Sequence, residues 1–288
     1  MNMRLEKPTW FKRRLPTGPE YEKVRGLVDS FHLHTVCQEA RCPNQWECFS
    51  DQTATFLIMG PACTRNCRFC AVQKSPVAPP DPEEPQRVAQ AASTLGLSYV
   101  VITSVTRDDL DDGGASVFAE TITEVKKICD GVRIEVLVPD FQGDMRALQQ
   151  VIAAGPDVLN HNIETVPRLY ETVRPQADYQ RSLDIFRYLR GSSPKLPTKS
   201  GLMLGLGEKD DEIKATLVDL VTAGCKLLTL GQYLQPTKDH LPVERYVTPE
   251  EFDQWRSTAL KIGFVEAVSG PLVRSSYQAG KLLGHCAK

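Results

Sequence analysis

Three cysteines fall within one short string, Cys63, Cys67 and Cys70 in CTRNCRFC, and three more stand just upstream, Cys37, Cys42 and Cys48 in TVCQEARCPNQWECFS. Thiolates at such spacings bind metal. A structural zinc site takes four ligands, usually completed by a second CxxC or HxxxH pair, and none follows the CTRNCRFC set. CxxxCxxC instead suits three corners of a [4Fe–4S] cube, leaving the fourth iron open to a ligand that is not protein. Phe69, just before the third cysteine, is placed to cover that site or to pack on a ligand base. For Cys37, Cys42 and Cys48, structural zinc completed by His32 or His34 is the competing reading. The other three cysteines are scattered. Cys129 and Cys225 lie in apolar, helix-like segments and read as small buried hydrophobes, and Cys286 is assigned nothing.

The residues that could do chemistry need a scaffold. Short apolar runs at Thr55–Met59, Tyr99–Thr103, Arg133–Leu137, Val158–Ile163, Thr198–Met203, Leu227–Gly231 and Phe264–Val268 predict seven strands. Helix-like segments near 84–96, 115–129, 144–154, 179–190, 210–223 and 248–262 alternate with them. Such alternation implies parallel strands joined by right-handed crossovers. Six βα units and a final strand predict an open or partial (β/α) barrel. In a barrel, chemistry belongs at the C-terminal ends of the strands. The cysteine loop follows the first strand, SVTRDDLDDGG (104–114) the second, NHNIE (160–164) the fourth, GLGE (205–208) the fifth and GQYLQPTKDH (231–240) the sixth. Residues before about 52 read as an arm with short helices, such as Glu20 to Ser30, and SPVAPPDPEEP (75–85) as a Pro-rich loop.

Bulk properties narrow the function. A chain of 288 residues with net charge −2 and a pI near 6.2 lacks the basic footprint of a nucleic-acid binder. No apolar run of about 18 residues is present to span a membrane. The N-terminus carries no apolar stretch of a secretory signal, so a cytoplasmic, reducing location is expected. Nine cysteines there point to metal or catalysis rather than disulfides.

The string CxxxCxΦC, with Φ aromatic, after the first strand of a βα barrel resembles the radical S-adenosylmethionine (SAM) superfamily. The upstream set closely resembles the auxiliary-cluster motif of lipoyl synthases, CxxxxCxxxxxC, and Arg274-Ser275-Ser276-Tyr277 resembles that family's C-terminal motif. The likeness runs from KPTWFKRRLP through NHNIETVPRLY to GPLVRSSYQAG. It implies a partial (β/α)6 barrel of radical SAM type (53–270), with an N-terminal arm (1–52) bearing auxiliary-cluster ligands and a C-terminal segment (271–288), the extensions covering the barrel mouth. It implies two [4Fe–4S] clusters and SAM as cofactors. Cys63, Cys67 and Cys70 would hold the radical-generating cluster, and Cys37, Cys42, Cys48 and Ser276 the auxiliary one. Phe69, Gly113, Gly114, Asn160, Asn162, Glu164 and Glu208 are the candidate SAM or substrate contacts, although Asp112-Gly113-Gly114 departs from the family's Gly-Gly-Glu. Glycines needed only for tight turns are the plain alternative.

The reaction implied is insertion of two sulfurs at C6 and C8 of a protein-bound octanoyl-lysine, with the auxiliary cluster as sulfur donor. Partners implied are octanoylated lipoyl-carrier domains or the octanoylated glycine-cleavage H protein, an electron donor such as ferredoxin or flavodoxin, and iron–sulfur carrier proteins. Lys7, Lys12, Arg13 and Arg14 form a basic patch that could meet an acidic carrier; a solvated charge run is the plain alternative. A methylthiotransferase would bring extra domains and a basic surface. A ferredoxin-like electron carrier would bring four cysteines per cluster.

Overall fold

The apolar runs marked as strands are strands. A computed structural model describes residues 5–12, 19–39, 42, 44, 47–48, 55–74, 76–277 and 279–283; Arg13, Arg14 and Cys286 lie outside them. The strands are β1 (His34–Thr35), β2 (Thr55–Ile58), β3 (Tyr99–Ser104), β4 (Arg133–Leu137), β5 (Val158–Asn160), β6 (Thr198–Leu204), β7 (Leu227–Gln232) and β8 (Glu266–Gly270). Their order in the sheet is their order in the chain. The β2/β3, β3/β4, β6/β7 and β7/β8 pairs are parallel, and β1 runs antiparallel to β2. The helices are α1 (Pro19–Ser30), α2 (Val36–Glu39), α3 (Glu84–Thr94), α4 (Ala115–Ile128), α5 (Met145–Ala153), α6 (Tyr170–Val173), α7 (Tyr179–Ser192), α8 (Asp210–Ala223), α9 (Pro249–Ile262) and α10 (Ala279–Leu283). Among the described residues no helix is long and apolar enough to cross a membrane.

Two compact units are distinguished, one of residues 15–65 and 71–159, the other of residues 1–14, 66–70 and 160–288. In the first, Val100, Val101 and Ile102 are buried in succession, as befits a parallel strand covered on both faces. Val88, Ala89, Ala91 and Ala92 of α3 and Phe118, Ile122 and Val125 of α4 are buried, and the small alanines allow the close α3/α4 packing. In the second, Leu202 and Leu204 of β6, Leu228 and Leu230 of β7, Leu217 and Leu220 of α8 and Phe252 of α9 share one core. Thr248 and Glu251 form a capping box before α9, with Pro249 in its first turn, the device that the string VTPEEF announces.

Three expectations shift. β1 was not anticipated, β5 stops at Asn160 instead of running to the expected Ile163, and β8 lies two residues beyond the expected Phe264–Val268. Of the scattered cysteines, Cys225 is buried as expected, whereas Cys129 caps α4 and is only half-buried.

Arg168, in the short turn after β5, grips Glu212 in the first turn of α8 through two bonds of 2.6 and 2.9 Å. That guanidinium, helped by the Lys209 N–H, holds the Glu212 carboxyl down at about 2, against an ordinary value of 4.5. A carboxyl depressed in the folded state stabilises fully above its unfolded value and loses that contribution as pH falls. The window here is therefore about 4.5 down to about 2. Arg168→Gln is expected to return the Glu212 titration, followed by NMR, toward the ordinary carboxylate range; an unmoved titration contradicts the assignment.

Candidate active site

The cysteine loop begins where β2 ends. Met59 turns the chain with a positive φ, and its N–H donates to the buried Glu84 carboxylate at 2.7 Å. Burial holds that carboxyl above its usual range. Ala62 and Gln73 form an isolated parallel bridge, and the Cys63 N–H donates to the Gln73 carbonyl at 2.9 Å. Thr64 is zipped to the loop after β3: its N–H and hydroxyl donate to the Thr106 carbonyl, and its oxygen accepts the Asp108 N–H. The Cys63 Sγ then accepts two backbone N–H groups, from Arg65 at 3.4 Å and Thr106 at 3.3 Å. These two donors fix the position of the sulfur in the loop.

Arg65 lies inside the motif yet its side chain is buried. Nε and Nη2 bond both Asp108 oxygens at 2.6 and 2.9 Å, and Nη2 also bonds Asp140 at 2.6 Å. Arg107, likewise buried, grips Asp109 through Nε and Nη2. Its Nη1 is a buried donor without a partner among the described residues. Gly113 and Gly114, both at positive φ, lead into α4. The Asp112 carboxylate accepts the N–H groups of Gly114 and Ser116 at 2.8 Å. Burial opposes its charge, but these bonds prevail and hold it below the usual range. A Cβ on Gly114 would strike the Met59 side chain, and one on Gly113 would lie 3.0 Å from the Phe141 ring. Packing and turn geometry thus already require both glycines.

Cys37, Cys42 and Cys48 belong to this same unit. Cys37 sits in α2 and is buried, and the other two are half-buried. The Cys42 N–H donates to the Cys37 carbonyl at 3.1 Å, and the Cys48 N–H to the Asn44 carbonyl at 3.0 Å. Burial, then the neighbouring Cys42, pushes the Cys37 thiol up to about 12, so a metal binding there must displace a proton. His34, one candidate zinc ligand, has its Nδ1 2.9 Å from a Glu39 oxygen.

In the other unit, residues 66–70 are pinned by their backbone. The Arg68 N–H donates to the Val173 carbonyl and its carbonyl accepts the Leu241 N–H. The Cys70 carbonyl accepts from His240 Nε2 at 3.0 Å. A carbonyl only accepts, so Nε2 carries a proton and, in the neutral ring, Nδ1 accepts from the Thr237 hydroxyl at 2.8 Å. Phe69 packs against the apolar core, and Cys67 and Cys70 remain half-buried.

NHNIE also lies here. Asn160 is fully buried. The Ser200 hydroxyl accepts the Ile163 N–H and donates to the His161 carbonyl. Arg174 Nη1 donates to the carbonyls of Asn162 and Ile163. Glu164 adopts a φ of 65°, and its backbone bonds Gly201 and Met203 at 2.9 Å. Burial holds its carboxyl above the usual range, with Arg174 and Asn162 opposing. Asn162 Nδ2 donates to Glu164 at 3.0 Å and to the Ser275 hydroxyl at 2.6 Å. Glu208 turns back on its own loop, where its oxygens accept the N–H groups of Gly205 and Leu206, and burial raises its carboxyl.

The structure thus joins Asn162 and Glu164 to the residue beside Ser276, while the hydrogen bonds of Glu208 close its own loop. Sequence reasoning missed Arg65, Arg107, Asp108, Asp140, Ser275 and His240. The available signals were an arginine between two motif cysteines and the acid-rich TRDDLDD that follows β3. The donor set fits an iron–sulfur cluster: thiols outside any disulfide, one of them already receiving two N–H groups. Among the described residues no three His, Cys, Asp or Glu are grouped to share a single ion. Thiolates of a cube bind separate irons and stand farther apart than ligands of one ion.

The radical SAM superfamily profile matches residues 57–220, and the profile of the N-terminal domain of lipoyl synthase matches residues 1–42. Among solved structures, the [FeFe]-hydrogenase maturase HydG aligns with a TM-score of 0.56 at 15% identity, over 72% of this chain and 48% of its own. Methylornithine synthase aligns at 0.50 and 16%, over 78% and 67%. Coproporphyrinogen III oxidase of Escherichia coli, described as a radical SAM enzyme, aligns at 0.50 and 14%, over 72% and 52%. The fold is that of the radical SAM enzymes, an α/β architecture around a mostly parallel sheet. Lipoyl synthase of Desulfotalea psychrophila is 59% identical over 280 residues, 97% of this chain and 94% of that protein, and lipoyl synthase of Syntrophotalea carbinolica is 54% identical over 96% and 89%. The chain belongs to the lipoyl synthase family of the radical SAM superfamily. That superfamily brings SAM and a [4Fe–4S] cluster as cofactors.

Proposed function

We propose that this enzyme inserts two sulfur atoms, at C6 and C8, into an octanoyl chain carried on a lysine of a partner protein, completing a lipoyl group. The observation that carries the reading is the coexistence of two three-cysteine sets with Arg274-Ser275-Ser276-Tyr277 in one chain. Unactivated C–H bonds are beyond any side-chain base near neutral pH, so a radical is needed. When bound, the cluster of Cys63, Cys67 and Cys70 supplies the electron that splits SAM into methionine and a 5′-deoxyadenosyl radical. Three protein thiolates leave one iron for SAM itself. Asn160, Asn162, Glu164, Glu208, Gly113, Gly114 and Phe69 are the residues assigned to contact SAM or substrate, on their likeness to the family's positions. The auxiliary cluster is a substrate, held by Cys37, Cys42, Cys48 and Ser276. Each of C6 and C8 would lose a hydrogen atom to one deoxyadenosyl radical, and the carbon radical left would bond a sulfide of that cluster as one electron passes to the cluster's irons, so two SAM are spent per lipoyl group. Serine oxygen is harder than thiolate and matches Fe2+ less well, which makes its corner the one that releases.

The partners are octanoylated carrier domains or H protein, met at Lys7 and Lys12 with Arg13 and Arg14, a ferredoxin- or flavodoxin-like reductant, and iron–sulfur carriers that rebuild the consumed cluster, all in the cytoplasm. Lys7 and Lys12 are exposed, and Lys7 Nζ stands 5.7 Å from the Phe11 ring centroid. The test gives anaerobic, reconstituted enzyme SAM, a reductant and an octanoyl-lysine peptide. The expected result is deoxyadenosine together with a peptide that has gained two sulfurs by mass spectrometry. Deoxyadenosine with an unmodified peptide in repeated trials overturns the reading.

A further inference from the structure

We infer that Ser275 is a positioning residue for its neighbour: anchored on the Asn162 amide over the bare backbone of Gly201, it sets the turn that presents Ser276 to the auxiliary cluster. This rests on the reading of Ser276 as the fourth ligand.

The Tyr277 N–H donates to the Arg274 carbonyl at 2.9 Å. That bond closes a four-residue turn whose two corners are Ser275 and Ser276. In such a turn the backbone angles of the two corner residues are set together by the closing bond, so a side chain fixed at one corner limits the direction of the other. Ser275 is the corner that is tied down, by the 2.6 Å bond from Asn162 Nδ2. Asn162 is itself held, its amide also bonding Glu164 and its carbonyl taking Arg174.

The space for this arrangement is cut out of the sheet. A Cβ at Gly201, on β6, would lie 2.7 Å from Asn162 Oδ1 and 2.9 Å from Ser275 Oγ. A Cβ at Gly231, on neighbouring β7, would collide with the Val273 carbonyl. Neither glycine has a positive φ, so both are called for by the approach of another segment rather than by backbone conformation. The segment is further tied by the Val273 N–H on the Gly270 carbonyl at 3.1 Å and by Arg274 Nη1 on the Val273 carbonyl at 2.7 Å. Residues that the sequence associates with SAM therefore also hold the segment that bears the cluster serine.

One hydroxyl hydrogen bond is too little to decide whether the chain folds, but its loss releases the turn that bears Ser276. The effect should appear in cluster retention rather than stability. The experiment reconstitutes wild type, Ser275→Ala, Gly201→Ala and Ser276→Ala, and follows the Mössbauer signal of oxygen-ligated iron, iron loss to a chelator, melting temperature and SAM cleavage. Ser275→Ala and Gly201→Ala are expected to lose the oxygen-ligated signal and to release auxiliary iron about 10–100-fold faster, with melting and SAM cleavage unchanged in Ser275→Ala. If Ser276→Ala loses the signal while Ser275→Ala keeps it, the inference falls and the ligand reading stands. If Ser276→Ala keeps the signal, the ligand reading falls and takes the inference with it. If Ser275→Ala melts earlier and cleaves SAM poorly, the hydroxyl has a general structural role and the inference is overturned.

Discussion

Cys48→Ala is expected to abolish sulfur insertion while deoxyadenosine still forms. The two three-cysteine sets serve different steps in the proposed reaction, so they should separate under mutation. Removing one of three thiolates leaves the auxiliary cluster on two sulfurs and a serine oxygen, and oxygen is the poorer ligand for iron. A ligand of this kind is itself part of the substrate's binding site, so its loss should not be partly compensated. The Cys48 N–H closes its turn on the Asn44 carbonyl whatever the side chain, so the substitution leaves the local backbone bond in place. Deoxyadenosine formation should stay within about a factor of two, some 0.4 kcal/mol of barrier, because Cys63, Cys67 and Cys70 are untouched. Cys67→Ala gives the opposite pattern, with neither deoxyadenosine nor product. Mass spectrometry of an octanoyl-lysine peptide and chromatography of deoxyadenosine read both quantities from one reaction. Full product from Cys48→Ala would remove the auxiliary set from the mechanism.

Arg65→Met should destabilise the protein by about 3–5 kcal/mol, since breaking a buried ion pair from one side strands the remaining charge. Here two carboxylates are stranded, and Asp140 is 2% exposed. For a chain of this size the cost corresponds to a fall in melting temperature of roughly 6–20 °C. Asp140 keeps the Gln142 N–H at 3.1 Å as a donor, which sets the loss short of a full two-charge penalty. Adding Asp108→Asn and Asp140→Asn to Arg65→Met should recover part of the stability, because neutral amides cost less to bury unpaired than carboxylates. The same guanidinium tethers the loop whose backbone N–H reaches the Cys63 sulfur. Iron retention by Cys63, Cys67 and Cys70 should therefore fall in parallel with melting temperature. A melting temperature within error of wild type would show that water replaces the arginine and that the ion-pair cluster is dispensable.

Much of this protein was written in local pattern. The seven longer strands were legible as short apolar runs between helical stretches, most plainly β2 and β7, which are buried at every residue as a parallel strand covered on both faces is. Six helices were legible because their apolar spacing and caps agree, as at Thr248-Pro249-Glu250-Glu251. The cysteine spacings and the Arg274-Ser275-Ser276-Tyr277 string carried the family, because ligand geometry constrains residue type and interval within one short loop. β1 escaped because two residues carry no periodicity; His34 and Thr35 are a strand only through pairing with Leu57 and Phe56. β8 slipped because Phe264 and Val265 are apolar like strand residues, yet pairing with β7 begins at Glu266.

What the sequence determined by itself was the family and its parallel α/β scaffold, together with the two cysteine strings proposed to hold iron. What only the tertiary structure decided was which polar groups hold that chemistry in place. Arg65 meets Asp108 and Asp140 across 43 and 75 residues, and Asn162 meets Ser275 across 113. Partners so remote leave no interval to read, because a hydrogen bond specifies a distance in space and the chain between its ends can be of any length.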